Sequence, residues 1–357
     1  MATRVVVAGA GMVPFVGTGV HASGMADRAI RNALDDAGID VELIDQAVAS
    51  HVHGDPGAGG ALARAGLTGI AISNVSNASA SGSVALFHAR QALLSGDAQC
   101  VLAVGFEETA PSAAETLPCA PSCSARMEWL AERGGIGDDT FARVALKART
   151  HGRGNPYAVR HEPPAPAGRV RPSHAAHASC GAAAIILCTP RFAALHALRD
   201  DVLLVAHALE SDGPAQSAAR DLGEALASST TRRVAERAYE SAGIDPADVD
   251  VAEVHDCCVG EELISCAALG LCAPEDIARF VQSGANTYGG RVVVSPSGGM
   301  LSLGDAPGAT GIAQCCELAW QLRGEAGSRQ VPGARIALQH NGGPHGAVAV
   351  AILRRND

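Results

Sequence analysis

Four short stretches carry side chains able to do covalent or proton-transfer chemistry. Ser79 sits in Asn77-Ala78-Ser79-Ala80-Ser81, just ahead of an apolar helical pattern over residues 83–94. An alcohol is hardly ionised at neutral pH, so a serine becomes a nucleophile only beside a positioned base. His255 ends the apolar run at 249–254 and is followed by Asp256, Cys257 and Cys258. A histidine at a strand end faces the crevice in which α/β folds bind ligands. Asp305 lies in the turn-like string Leu303-Gly304-Asp305-Ala306-Pro307-Gly308. It fits two readings equally, a carboxylate that orients a base or an Asx-turn residue bonded to its own backbone. His340 and His345 flank the turn containing Gly342 and Gly343, and neither is preferred as a base.

Two further groups look at first like metal ligands. His51, His53 and Asp55 stand together in Ser-His-Val-His-Gly-Asp-Pro-Gly. Cys119 and Cys123 have the spacing of a knuckle, but no second pair matches them, and they read as ordinary small residues of a loop. No metal is therefore expected. The 11 cysteines, an odd number, read as reduced thiols in a cytoplasmic protein, with Cys315 and Cys316 as core residues in a helical pattern.

The elements that position these residues alternate. Strand-like runs occur at 5–8, 100–104, 183–187, 202–205, 249–254, 336–338 and 348–353, with helical patterns at 25–37, 83–94, 231–242, 261–269 and 311–322. That alternation indicates an α/β protein with parallel or mixed sheets. The passage IRNALDDAGIDVELIDQAV (30–48) resembles VAERAYESAGIDPADVDVAEV (234–254). Each has a helix, then Ala-Gly-Ile-Asp, then an acidic link, then a strand, with Gly38 and Gly243 where a helix C-cap wants φ > 0. This repetition suggests a duplicated α/β unit. Residues 149–177, rich in Pro, Gly, Arg and His, read as a poorly structured surface excursion.

Composition narrows the function classes. Hydrophobic residues make up 47%, aromatics only 3%, and the formal net charge is −10. A protein so charged and so poor in stacking rings is not built for nucleic acid or an anionic membrane. No apolar run approaches the ~20 residues that span a bilayer, and the run at 5–8 is too short for a signal segment.

Four blocks, in order, resemble the thiolase superfamily, specifically the sterol-carrier-protein-2 (SCP2) type: NVSNASASGSVALFHARQALLSG (74–96), EVHDCCVGEELISCAALGLC (253–272), SPSGGMLSLGDAPGATGIAQCCELAWQLRGEAG (295–327) and ALQHNGGPHGAVAV (337–350). The resemblance implies a thiolase fold of two βαβαβαββ halves in a five-layer α-β-α-β-α arrangement, usually dimeric. It places one half at residues 1–195, with a shortened loop region at about 107–177, and the other at 196–357. It also exposes departures. The family's Cys-x-Ser motif reads Ser79-Ala80-Ser81, and its Gly-His-Pro motif reads Gly304-Asp305-Ala306. The His-Asp-Cys-Phe motif reads His255-Asp256-Cys257-Cys258, and the last loop reads His340-Asn341-Gly342. The loop holding His51 and His53 resembles one near a subunit interface, which makes those histidines structural.

Ordinary thiolase activity is not expected from a chain lacking the thiolate and the Gly-His-Pro histidine. If the loops converge as in the family, Ser79, His255 and Asp305 form a nucleophile, a base and an orienting carboxylate. Cys257 is then a second acid/base or a stand-in nucleophile, and the N–H groups of Ser79 and Gly342 form the oxyanion hole. The first hypothesis is serine-based acyl transfer from an acyl-CoA or acyl-carrier-protein thioester to an alcohol, amine or carbon nucleophile, with no cofactor. The second is a catalytically silent subunit supporting a partner, such as a small OB-fold protein, with Ser79 merely filling the old cysteine site. The third is a retro-aldol C–C lyase on CoA esters. It ranks last because the lyases of this kind use tyrosines, and of three tyrosines only Tyr288 is near these blocks.

Overall fold

Val-, Ile- and Ala-rich runs pair into a mixed sheet because both of its faces are covered by helices, so no polar alternation is required. The computed structural model describes residues 4–53, 58–111, 120–161, 175–211, 229–342 and 347–357. The strands are β1 (Val5–Met12), β2 (Gln46–Ser50), β3 (Ala71–Val75), β4 (Cys100–Glu107), β5 (Gly181–Cys188), β6 (Val202–Ser211), β7 (Val251–Glu253), β8 (Val293–Val294), β9 (Ile336–Asn341) and β10 (Ala347–Arg355). The helices are α1 (Ser23–Ala37), α2 (Ala58–Arg64), α3 (Ser81–Ser95), α4 (Ala120–Gly134), α5 (Asp138–Gly152), α6 (Pro190–Leu195), α7 (Thr230–Ala242), α8 (Val259–Ala268), α9 (Ile277–Gln282), α10 (Gly299–Leu303) and α11 (Pro307–Arg323).

The strand order is β3-β2-β4-β5-β1-β6-β10-β9-β7-β8. Read outward from its middle, each half repeats the same order, and the pair types repeat with it. β2 lies parallel to β3 and β4 as β7 lies parallel to β8 and β9, while β5 and β10 are antiparallel to both of their neighbours. Each half follows the expected βαβαβαββ sequence, with α4 and α5 inserted between β4 and β5 of the first. The repeated passages are α1–β2 and α7–β7. Gly38 and Gly243 close α1 and α7 at φ 67° and 65°, a backbone region where a Cβ is strained.

Two large cores explain the layering. One face of the sheet packs on α1 in the first half and on α7 in the second, through residues such as Ile30, Leu34, Val234 and Tyr239. The other face, in both halves, packs on α3 and α11, through Leu86, Leu93, Ile312 and Leu318. The expected layers are therefore present, and β1 and β6 also join edge to edge through Val5–Leu204 and Val6–Leu203. The central helices touch through Gly82 and Gly311. A Cβ on Gly82 would lie 3.0 Å from the Gly311 nitrogen, and one on Gly311 would lie 2.6 Å from the Ser83 nitrogen.

One expectation needs correction. The start of the supposed excursion at 149–177 is built into the body of the protein. His151 Nδ1 lies 2.9 Å from the Ser295 carbonyl, and Asn155 Nδ2 donates to the Ser297 carbonyl at 2.8 Å. The N–H groups of Val159 and Arg160 reach the Leu303 and Ser302 carbonyls. Polar composition looked like surface, but these polar groups find partners, largely on the second half, which permits burial. The Pro-rich string at 162–172 lies outside the described residues. Within the region at 107–177, α4 and α5 pack Met127, Leu130, Phe141 and Val144 against Val259 and Leu263 of α8. Each such buried side chain contributes roughly 1.5–3 kcal/mol relative to exposure. Among the described residues, no helix is long and apolar enough to cross a membrane.

Candidate active site

Ser79 is presented by a rigid corner between β3 and α3. Ala78 adopts φ 46°, a left-handed conformation costing an L-residue about 1–2 kcal/mol. Ser81 Oγ accepts the Asn77 N–H and donates to the Ala78 carbonyl, both at 2.7 Å. Asn77 Oδ1 accepts the Ala347 N–H at 2.6 Å, tying the corner to β10. The strained turn is thus over-determined by its neighbours, as such turns must be to persist. Ser79 itself is half-buried, two residues ahead of Ser81, the first residue of α3.

Asp305 occupies the matching place in the second half, two residues ahead of Pro307, the first residue of α11. Its backbone is held by the His177 carbonyl at 2.7 Å and the Ser179 N–H at 2.9 Å. The α11 N-terminus is capped from elsewhere: the buried Glu107 carboxylate accepts the Gly308 N–H at 2.7 Å and the His53 N–H at 2.6 Å. Burial pushes the Glu107 carboxyl up, against the backbone N–H groups of Gly308 and His53. His51 stacks on Phe106 with ring centroids 5.4 Å apart. Both histidines of that loop are therefore engaged in packing or with Glu107, while Asp55 lies outside the described residues.

His255 follows β7 and is 2% exposed. His340 Nδ1 approaches the His255 N–H at 3.4 Å, and Asn341 Nδ2 approaches the His255 ring at 3.5 Å, both long contacts. Burial lowers the His255 pKa to about 3, assisted by His340 and Arg126, and burial lowers that of His340 to about 4. Both rings are neutral near pH 7. His255, His340 and Asn341 thus meet, and Gly342 follows directly at the end of β9. No hydrogen bond among the described residues joins His255 to Ser79 or to Asp305. The closed serine–imidazole–carboxylate chain expected if the loops converged is not formed in this structure. His345 and Gly343 lie outside the described residues.

Asp256 and its neighbours hold this loop in place. The Asp256 carboxyl, driven well up by burial, accepts the Met300 N–H at 2.7 Å and so ties the loop to α10, which leads to Asp305. Lys147 on α5 pairs with Glu262 on α8 at 2.9 Å and donates to the Val294 carbonyl at 2.8 Å. Cys123 also requires a correction: it lies on α4 rather than in a loop. Its sulfur, with those of Cys257 and Cys258, forms a buried cluster whose atoms all lie within 4.8 Å of one another. The Cys123 and Cys257 thiols, hydrogen-bonded to the Cys258 sulfur, pull its pKa down to about 4 against burial. Cys119 lies outside the described residues.

Sequence reasoning missed a polar chain through the middle layer. Gln339 Nε2 donates to Ser83 Oγ and to Gln314 Oε1, each at 2.8 Å, and Gln314 Nε2 donates to the Val254 carbonyl at 3.1 Å. Helices α3 and α11, strand β9 and the residue that follows β7 are thereby locked together beside His255 and His340. The available signal was a glutamine within each of two apolar runs, Ala337-Leu338-Gln339 and Ile312-Ala313-Gln314.

Comparison with known proteins accords with this architecture. Residues 5–148 match the family described as Thiolase, N-terminal domain, and residues 213–355 match Thiolase C-terminal domain-like. The chain is 37% identical to Sterol carrier protein 2 of Homo sapiens, over 98% of this chain and 72% of that protein. It is 33% identical to an Acetyl-CoA acetyltransferase of Methanothermobacter thermautotrophicus, over 82% of each. Among solved structures, the Ltp2-ChsH2(DUF35) aldolase superposes with a TM-score of 0.81 at 19% identity, covering 99% of this chain and 98% of that one. Human mitochondrial 3-ketoacyl-CoA thiolase superposes at 0.77 and 16% identity, covering all of both chains. The duplicated halves, the two family matches and the full-length identity lead to one conclusion: this chain belongs to the thiolase family and is related to its SCP2-type members.

Proposed function

We propose that this protein acts on an acyl thioester, carried by CoA or by an acyl carrier protein, and transfers the acyl group through Ser79. The observation that carries this reading is the corner at Ala78, which is strained, braced by Ser81 and Asn77, and delivers the Ser79 hydroxyl at the entrance of α3. Strain maintained by dedicated hydrogen bonds is a mark of a functional position. In the proposed step, Ser79 Oγ attacks the thioester carbonyl and its proton passes to His255. The carbon–sulfur bond breaks, and the thiol leaves with a proton from Cys257. The Ser79 and Gly342 N–H groups hold the oxyanion. Asp305 orients the base, with His340 as the alternative proton acceptor. The acyl ester then passes to an alcohol, amine or carbon nucleophile. Such hydrogen bonds often tighten only when substrate is bound.

We keep carbon–carbon cleavage of a CoA ester as a second reading, because His255, His340 and Asn341 are joined to one another and none to Ser79. Retro-aldol chemistry needs a base and an oxyanion hole but no nucleophile. The fold shared with the Ltp2-ChsH2(DUF35) aldolase makes a DUF35-type, OB-fold partner worth testing in either reading. A homodimer is proposed from the family. Among the described residues the edge strand β3 is paired on one side only, an edge that a second copy could extend. A cytoplasmic location is proposed from the reduced cysteines.

Intact-protein mass spectrometry after incubation with a panel of acyl-CoAs, with Ser79→Ala as control, tests the proposal. An added acyl mass that vanishes in Ser79→Ala supports it. An adduct that survives the substitution moves the nucleophile to Cys257 or another thiol. No adduct from acyl-CoA or acyl carrier protein removes serine acylation, leaving lyase chemistry or a silent subunit.

A further inference from the structure

Cys123, Cys257 and Cys258 come from two separate parts of the chain, α4 and the β7–α8 junction, yet their sulfurs lie within 4.8 Å of one another. We propose that these three thiols form a binding site for a thiophilic divalent cation of the zinc group. With Zn–S bonds of about 2.3 Å, tetrahedral geometry sets sulfurs about 3.8 Å apart. Closing the cluster onto an ion therefore takes small side-chain rotations rather than backbone movement. Three protein ligands leave the fourth position to water or an external thiolate, as in open zinc sites.

The surroundings are those of a built site. The three residues are 6%, 7% and 0% exposed, and they pack with Ala176 and Met300. The backbone that carries them is fixed: the Cys257 carbonyl accepts the Ala176 N–H at 2.8 Å, and Cys258 forms a bridge with Ala175. Three thiolates around a divalent ion leave one negative charge. The α8 N-terminus begins immediately after Cys258, and its Gly260 N–H reaches that sulfur. Arg126, one turn beyond Cys123 on α4 and paired with Glu261 of the first turn of α8, adds positive charge nearby. Cys258 occupies the place where the SCP2-type pattern has Phe, so the third ligand is a departure of this chain.

On binding, each thiol that still carries a proton gives it to solvent, three sulfur–metal bonds form, and no electrons are transferred. The proposal does not rest on acylation of Ser79, but it shares Cys257 with that reading: a Cys257 sulfur bound to the ion has no proton to give a leaving thiol. To test it, the full-length reduced protein is stripped with chelator and titrated with Cd²⁺, following the sulfur-to-metal charge-transfer absorption, and with Zn²⁺ in competition. Saturation at one equivalent is expected, displaced by Zn²⁺, unchanged in Ser79→Ala, and weakened at least ~10-fold in Cys258→Ser. Bound Zn²⁺ should also protect Cys123, Cys257 and Cys258 together from alkylation, as read by peptide mass spectrometry, and this needs no folded variant. Absence of a saturating equivalent, unchanged affinity in Cys258→Ser, or protection of other cysteines instead would overturn the assignment.

Discussion

Gln339 lies 2.8 Å from Gln314, side chain to side chain, in the buried layer between the two halves. The same Gln339 amide nitrogen also reaches Ser83, so this one residue bonds to both central helices. Gln339→Leu keeps the volume but leaves the Gln314 oxygen without its donor and the Ser83 oxygen without its partner. The expected loss is about 1–3 kcal/mol for each group left unsatisfied, read from urea unfolding. A change under about 0.5 kcal/mol, the usual surface value, would show that these bonds do not tie the layer together.

Ala78 should tolerate glycine better than any larger residue. Ala78→Gly removes the left-handed penalty of about 1–2 kcal/mol and adds roughly 0.5–1 kcal/mol of chain entropy, so stability should hold or rise slightly. Ala78→Val, β-branched at φ 46°, should lower the melting temperature clearly. Equal melting temperatures for the two variants would contradict the corner as described.

His207 predicts the acid behaviour. It is buried on β6, its ring meets Phe87 edge-on at 5.4 Å, and neither ring nitrogen has a hydrogen-bond partner among the described residues. Burial, with Arg90 nearby, lowers its pKa from 6.5 to about 3. The unfolded chain therefore binds a proton between those values that the folded chain refuses. Its contribution is intact above pH 6.5 and is lost progressively as pH falls toward 3. At pH 5 the loss is about 2 kcal/mol for this group alone. His207→Leu should thus flatten the stability decline between pH 7 and pH 5, measured by denaturant unfolding at each pH. An unchanged decline would place the acid sensitivity elsewhere, for instance in His151, His255 or His340, which are lowered in the same direction.

Reversion of the altered positions separates acylation from condensation. Ser79→Cys places a thiol at the start of α3, where the helix terminus favours the thiolate, and should acylate faster than the parent chain. It should still fail in thiolytic cleavage of a 3-ketoacyl-CoA if, as the resemblance implies, Asp305 replaces the histidine of the Gly-His-Pro motif. The double variant Ser79→Cys/Asp305→His should be the first to show thiolysis in a spectrophotometric assay. Thiolysis by the single variant would mean that Asp305 serves as well as histidine.

The duplicated architecture was legible because its signals are local. Runs rich in Val and Ile named β1, β4, β5, β6, β7, β9 and β10, and Ala-Gly-Ile-Asp marked the ends of α1 and α7. β3 was illegible because Ala-Ile-Ser-Asn-Val is a largely exposed edge strand with polar residues, and β8 is only two residues long. The amphipathic helices α4 and α5 were hidden by their polar composition, since what they bury is a face shared with α8. At the site, the motifs identified the loops but not their contacts. The meeting of His255 with His340, of Cys123 with Cys258, and of Gln339 with Ser83 depends on docking between segments far apart in sequence, which no spacing rule encodes.

Ser79 and Asp305 each stand two residues before the first residue of a central helix, one in each half. They are copies of a single architectural position, used twice by a duplicated unit. By the resemblance, the two departures fall on this one position in both halves: Ser79 where the family pattern has cysteine, and Asp305 where it has histidine. What the two corners share is then their place ahead of a central helix; what differs is the side chain each presents and the turn that carries it, left-handed at Ala78 in one and at Gly304 in the other.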